Sequence, residues 1–410
     1  MNETLFADLA DWVTRAGLSG RAETELMAGF CRRLAAAGVP LAQALVILDT
    51  LHPVYEGRAF RWRAELPEAV EAVDYGRTDS GEAAANWQQS VFFHLLQSGQ
   101  EALRRRLAAG DPAEFSTLAQ ARDAGMTDYL ALVHRFAAEG VIGDMDCVYS
   151  SWASAAPDGF TDAAVAALRR LAPFLELAIK SAALARMAGT IAETYLGRDP
   201  GRRVMSGRIA RGVAEKIGAV LWLSDLRGYT QISDSAPPQE IIPLLNDYAE
   251  LVVSAVHGEG GDVLKLIGDG TLAIFAGDDR AAAASAALAA ALRARNGTVK
   301  LNQKRAESGL PTTAVYLALH VGDVFYGNVG SKERLDFTVI GPAVNEVGRI
   351  LALSRSVEQD VLLSADFAAA LDGELRPRLI SLGRYALRGV ALPQELFTPE
   401  PGFALGPPPR

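Results

Sequence analysis

Asp225 closes an apolar run, LWLSDLRGYT, and a glycine follows three residues later. A carboxylate where a strand gives way to a helix, beside backbone N–H groups with no helical partner, can hold a hydrated divalent cation and phosphates together. An aspartate at such a junction also caps helices. Asp269 stands at the tip of KLIGDGTLAIF, where Asp-Gly is equally a favoured pair for a tight hairpin turn. If the two strands lie side by side, both carboxylates converge on one metal pair, and hard oxygen ligands of this kind suit magnesium. Lys265 precedes Asp269 by four residues and by itself reads as a solvated charge. Asn345 and Arg349 in PAVNEVGRI are four apart and share a helix face, which alone fits an exposed polar surface.

The elements that must position these residues follow from the pattern around them. AVLWLSD (219–225) predicts a strand, and PPQEIIPLLNDYAELVVSAV (237–256) a helix with proline at its start. DVLKLI and TLAIFA predict a hairpin about Gly268-Asp269-Gly270, AAAASAALAAALRARN a helix and AVYLALHVG a further strand. That order predicts an α+β sheet with helices on one face. Upstream, Gly197-Arg198-Asp199-Pro200-Gly201 and a short basic linker (Arg202, Arg203, Arg208, Arg211) mark a domain boundary.

Taken in order, LWLSDLRGYTQIS, GGDVLKLIGDGTLAIF, HVGDVFYGNVG and DFTVIGPAVNEVGRI closely resemble the successive signatures of class III adenylate/guanylate cyclases, over roughly 219 to 398. The resemblance implies a ferredoxin-like βαββαβ catalytic domain that closes ATP into 3′,5′-cyclic AMP and pyrophosphate. It implies that Asp225 and Asp269 bind two Mg2+ or Mn2+ ions per site, with Leu226 adding its backbone carbonyl. The backbone at Gly228, Tyr229 and Thr230 matches the phosphate-cradling turn. Lys265 and Thr338 match the adenine-selecting pair, Asn345 the ribose-orienting asparagine and Arg349 the transition-state arginine. Arg334 and Arg388 fall where the family often carries further triphosphate contacts. In the family the aspartates come from one subunit and the base and transition-state residues from its partner, so a homodimer with two equivalent sites is implied. Threonine at 338, where the commonest adenylate type has aspartate, resembles the subgroup often responsive to bicarbonate.

Two features depart from the family pattern: Glu346 and Gly348 interrupt the small apolar run that usually separates the asparagine from the arginine. The alternatives are a catalytically weak nucleotide-binding regulatory module, which should have lost one of these residues, and a guanylate cyclase, which would want an acid at 265. No GG[DE]EF hairpin and no GxxxxGK[ST] occurs, which disfavours a diguanylate cyclase and a P-loop enzyme. Once a metal activates the hydroxyl no side-chain base is demanded, and His257 and His320 need no role.

The N-terminal half is less informative. Residues 1–55 read as helical, with apolar spacing through Leu26, Phe30, Leu34 and again Leu41, Leu45, Leu48. FFHLL (92–96), YLALVHRF (129–136) and CVYSSW (147–152) predict strands, and Arg104-Arg105-Arg106 a solvated helix face. A long helix starts after Thr161, and its stripe Val165, Leu168, Leu171, Leu175, Ile179, Ala182 suits either pairing with a twin in a dimer or packing on its own sheet. Segment 56–196 vaguely resembles GAF-type sensor domains, which would respond to an unidentified small-molecule or protein signal. His52, His94 and His134 are isolated and more often ordinary core or surface residues than haem or metal ligands. The divisions expected are thus 1–55, 56–196, a connector 197–216, a catalytic domain 217–400 and a disordered tail 401–410.

Bulk properties fit this reading. A chain of 410 residues should form two or three domains, and a net charge of −9 argues against a general nucleic-acid binder. Cys31 and Cys147 lie far apart, which suits a reducing cytoplasm. The longest apolar stretch, Ala281–Leu292, is shorter than the roughly 20 residues a membrane helix needs, so no membrane partner is expected.

Overall fold

The computed structural model describes residues 3–136, 142–143, 145–390 and 392–403, and the chain divides into two compact units, Met1–Ile191 and Ala192–Arg410.

The first unit opens with helices α1 (Glu3–Leu18) and α2 (Glu23–Ala36), followed by strands β1 (Gln43–Asp49), β2 (Gly57–Arg63) and β3 (Val70–Tyr75). Helices α3 (Gly81–Gln88) and α4 (Val91–Ser98), strand β4 (Ala102–Arg105), helix α5 (Ser116–Asp123), strands β5 (Asp128–Arg135) and β6 (Cys147–Ser154) and helix α6 (Asp162–Leu196) complete it, the last turns of α6 belonging to the second unit. The sheet order is β3-β2-β1-β6-β5-β4, antiparallel throughout. Val46, Phe60, Trp62 and Trp152 face the core that α1, α2 and α6 cover; Ala131, Val133 and Tyr149 face the one that α4 and α5 cover.

Several expectations for this unit are corrected. Helix does not continue to residue 55, because 43–49 is strand β1; QALVILD is buried on one face and half-buried on the other, and a continuous apolar run satisfies helical and strand spacing alike. FFHLL is helical, within α4, where the Ser90 hydroxyl caps the Phe93 N–H at 3.1 Å and Gly99 ends the helix at φ 70°. Arg104 and Arg105 lie on a strand, not a helix face, and all three arginines are paired: Arg104 forks onto the buried Asp128, Arg105 onto Glu114 and Arg106 onto Asp162. The stripe on α6 is not free for a twin helix. Leu168, Leu171, Leu175 and Ile179, with Ala183 and Met187, are buried in the unit's own core.

The second unit starts with α7 (Arg198–Met205), so the expected basic linker contains a docked helix: Pro200 and Gly201 are buried, and Asp199 accepts from the Tyr326 hydroxyl at 2.8 Å. There follow β7 (Ala214–Leu226), α8 (Tyr229–Ser235), α9 (Pro238–Gly258), the hairpin β8 (Asp262–Ile267) and β9 (Gly270–Ala276), α10 (Arg280–Glu307) and the long β10 (Val315–Gly330). β11 (Leu335–Ile340), α11 (Pro342–Val357), β12 (Val361–Ser364), α12 (Ala365–Ala370), β13 (Leu379–Tyr385) and β14 (Gln394–Pro399) close it. The sheet runs β13-β14-β12-β10-β7-β9-β8, with β11 folded back on the distal half of β10. This is the mixed α+β architecture expected, with one correction: helices cover both faces. Val220, Trp222, Leu317 and Leu319 point to α9 and α10, while the alternate residues Ala219, Leu221 and Ala318 point to α11. The unbroken apolar run of β7 is the mark of a strand buried on two sides. The tail is ordered through Phe403, whose ring is buried beneath the Arg378 guanidinium. Residues 404–410 lie outside the described residues. Among the described residues no helix is long and apolar enough to cross a membrane.

Candidate functional site

β7 is the central support. Its 13-residue register with β10 and its pairing with β9 fix where Asp225 and Leu226 end the strand. The β8–β9 hairpin brings Asp269 to the same end: its Oδ2 accepts from the Leu226 N–H at 3.2 Å, and the Asp225 and Asp269 carboxylates lie within hydrogen-bonding reach of each other. Burial first, then the neighbouring Asp269 carboxylate, pushes the Asp225 carboxyl up to about 6. Gly270 makes this approach possible, since a Cβ there would stand 2.7 Å from the Ser224 carbonyl oxygen. Two carboxylates crowded together fit a divalent cation, which would remove the repulsion. Among the described residues no group of three or more His, Cys, Asp and Glu gathers, so a backbone carbonyl such as that of Leu226, water and substrate oxygens would have to complete the shell. Gly228 (φ 68°) turns the chain into α8, whose first N–H groups, around Tyr229 and Thr230, have no acceptor within the helix.

Lys265, on β8, is half-exposed and ion-paired with Asp336 on β11. Thr338 lies two residues further along the same strand and therefore on the same face as Asp336. Arg334 is exposed and shares with Lys265 and Asp336 a cleft of about 800 Å3. Asn345 and Arg349 lie along α11, as their spacing implied, and line another cleft of about 820 Å3 with Gly389. Gly389 sits at φ +73°, and a Cβ there would meet Arg349 Nη2 at 3.4 Å, so the guanidinium rests against bare backbone. Arg388 is exposed beside it and is not part of that cleft lining.

Within one chain, then, the structure brings Asp225 to Asp269 and Lys265 to the Thr338 strand, and it gathers Asn345 with Arg349. Asp269, the lysine and the α11 residues line different clefts. Asp336 was not among the residues the sequence pointed to, and its one signal was its position two residues before Thr338. It also left His320 and Glu346 unconnected, although they face each other at 3.2 Å. The histidines of the first unit form no common centre: His52 accepts from the Val54 and Tyr55 N–H groups, His94 lies against Phe115, and His134 pairs with the buried Glu176 at 2.5 Å.

Residues 214–398 match the family described as the adenylate and guanylate cyclase catalytic domain. An uncharacterized protein of Mycobacterium tuberculosis is 35% identical over 208 residues, 50% of this chain and 37% of that protein. An adenylate cyclase of Anabaena cylindrica is 36% identical over 157 residues, 37% of this chain and 30% of the relative. The chain therefore spans about a third of the length of these relatives. A solved bacterial light-regulated adenylyl cyclase aligns over 56% of this chain and 64% of its own, at 22% identity and a TM-score of 0.48.

Proposed function

We propose that residues 214–398, which match the adenylate and guanylate cyclase catalytic domain family, convert ATP to 3′,5′-cyclic AMP and pyrophosphate at sites shared between two copies of the chain. The observation that carries this reading is the meeting of Asp225 and Asp269, whose like charges have no cation among the described residues between them, in a unit whose other reactive side chains line different clefts. A second copy would supply to each acidic pair the residues it lacks. Exposed Leu266, Ile267, Phe325, Val329 and Ile340 cluster on the hairpin tip and the β10–β11 arm, beside Lys265 and Thr338, and an apolar patch of that kind suits a self-complementary contact.

In this reading Asp225, Asp269 and the Leu226 carbonyl hold two magnesium or manganese ions. Bound there, the metals supply acidity to the ribose 3′-hydroxyl and neutralise the triphosphate. The N–H groups at Gly228, Tyr229 and Thr230 donate to phosphate oxygens. Asn345 orients the ribose for in-line attack of O3′ on the α-phosphorus, and Arg349 donates planar N–H groups to the charge growing there. Arg334 and Arg388 reach the remaining phosphates from their exposed positions. Lys265 donates to adenine N1 and Thr338 accepts from the 6-amino group; guanine presents the opposite pattern at both edges. Asp336 holds the Lys265 ammonium on the Thr338 side of the hairpin. The Lys/Thr pair is also the basis for expecting bicarbonate stimulation, and the first unit serves as a GAF-like sensor of a signal not named by its residues.

Purified protein given Mg2+ or Mn2+ with ATP or GTP, its products separated chromatographically, tests the reading. Cyclic AMP from ATP is the expected product. Cyclic GMP alone, or no cyclic nucleotide with either metal, would overturn it.

A further inference from the structure

We infer that His320 and Glu346 form a positioning pair that sets the rotation of α11, and with it the aim of Asn345 and Arg349; the inference rests on the roles proposed above for those two residues. His320, on β10, is only 3% exposed. Its Nε2 stands 3.2 Å from Glu346 Oε2, and its Nδ1 stands 2.9 Å from Ser364 Oγ. Ser364 caps α12 by accepting from the Phe367 N–H at 3.1 Å, which leaves its own hydroxyl proton for Nδ1. The ring then carries its proton on Nε2, the nitrogen that faces the Glu346 carboxylate. Burial holds the His320 ring below its ordinary range against the pull of Glu346 on α11 and Asp366 on α12, in keeping with a neutral ring. The serine–histidine–carboxylate order is not a hydrolytic one here, because Ser364 is 2% exposed and no substrate reaches it.

What this pair adds to α11 is direction. Ala343, Val347 and Ile350 bury the helix on the sheet, and at Gly322 a Cβ would come within 2.5 Å of the Ala343 Cβ, so the helix lies directly on β10. Apolar contact fixes the height of a helix above a sheet but is non-directional, and it leaves rotation about the axis loosely set. A polar contact at one point of the helix circumference, with Glu346 Oε2 held 3.2 Å from the buried His320 Nε2, resists rotation away from it. Glu346 adjoins Asn345, lies one turn before Arg349 and lines the same cleft as both. Gly348, between the anchor and the arginine, makes that turn intrinsically weak, so an anchor at 346 has something to hold. Glu346 and Gly348 are the two departures from the family pattern in this helix, and one supplies what the other removes.

The test compares wild type, E346A, E346Q and H320A/E346A, with kcat and KM for metal–ATP expressed per folded protein and hydrogen exchange read across 342–357. Misaiming a transition-state donor lowers kcat by about 10- to 100-fold in E346A with KM within roughly twofold, and E346Q, which keeps the acceptor, recovers most of it. The double variant is no slower than E346A, because the two residues act as one. Exchange in α11 rises in E346A while that in α9 of the same sample does not. A kcat per folded protein within twofold of wild type in E346A, or unchanged exchange in α11, would overturn the pairing role. Absence of any cyclic nucleotide from wild type would instead remove the cyclase reading, and the exchange comparison would still decide whether the pair fixes the helix.

Discussion

The two units treat their acids in opposite ways. In the first, each buried carboxylate among the described residues has a basic group against it: Glu23 has Arg186, Asp128 has Arg104 and Glu176 has His134. In the second, Asp225 is pressed against another carboxylate, and Arg349 makes no ion pair among the described residues. Buried charges are tolerated when paired and costly when they are not. The first unit's charges therefore complete its own fold, while in the second unit Asp225 and Arg349 stand without an opposite charge among the described residues. Sites that bind and transform charged ligands have this uncompensated character.

Breaking the acidic pair should give the largest effect and the sharpest contrast. D225N should lower cyclic nucleotide formation by on the order of a thousandfold, because both metal binding and substrate charge neutralisation depend on it. The same substitution should raise the melting temperature of the metal-free protein. Since the folded-state value is about 6, above the ordinary 3.8, the folded form holds a proton that the unfolded chain has released. Metal-free stability should therefore fall as pH rises from about 3.8 to about 6 and then level off, and D225N should flatten that slope. A variant that loses both activity and stability would place Asp225 with the first unit's acids. R349A should follow, slowing turnover by about 2–4 kcal/mol of barrier with little change in melting temperature.

The converse experiment belongs to the first unit. H134A leaves Glu176 buried without its partner and should destabilise that unit by about 3 kcal/mol, read by chemical denaturation. The Glu176 carboxylate beside His134 raises the imidazole above its usual 6.5. The pair's contribution is thus fully present below 6.5 and is lost as pH rises through the folded-state value; H134A should remove that dependence. If H134A were as stable as wild type at pH 6, the contrast between the units would fail.

How much of this could be read from the chain depends on distance along it. Asp225, Lys265, Asp269, Asn345 and Arg349 sit in contiguous motifs whose residues announce their own local geometry, and β7, the β8–β9 hairpin and α11 form where the pattern placed them. The partners across the fold were silent. Lys265 meets Asp336 across 71 residues, and His320 meets Glu346 only because β10 lies under α11. No periodicity encodes a strand register against a helix rotation. The two-sided packing of β7 and of β1 was not read from their apolar runs, because such runs fit a helix equally well and only the strands beside them decide. At 92–96 the caps Ser90 and Gly99 carried the answer that the apolar residues between them did not.

The smallest effect tests how finely the second unit's free arginine is held. Gly389 at φ +73° is a conformation that costs an L-residue about 1–2 kcal/mol, and a methyl group there would come into van der Waals contact with the Arg349 guanidinium. G389A should therefore cost about 1 kcal/mol in stability and slow turnover a few-fold, with the larger share in kcat because the contact is with the side chain that meets growing charge. R349A/G389A should be no slower than R349A alone. If instead the two substitutions multiplied, Gly389 would act on the cleft by a route other than the arginine, and the open side of Arg349 would owe nothing to it.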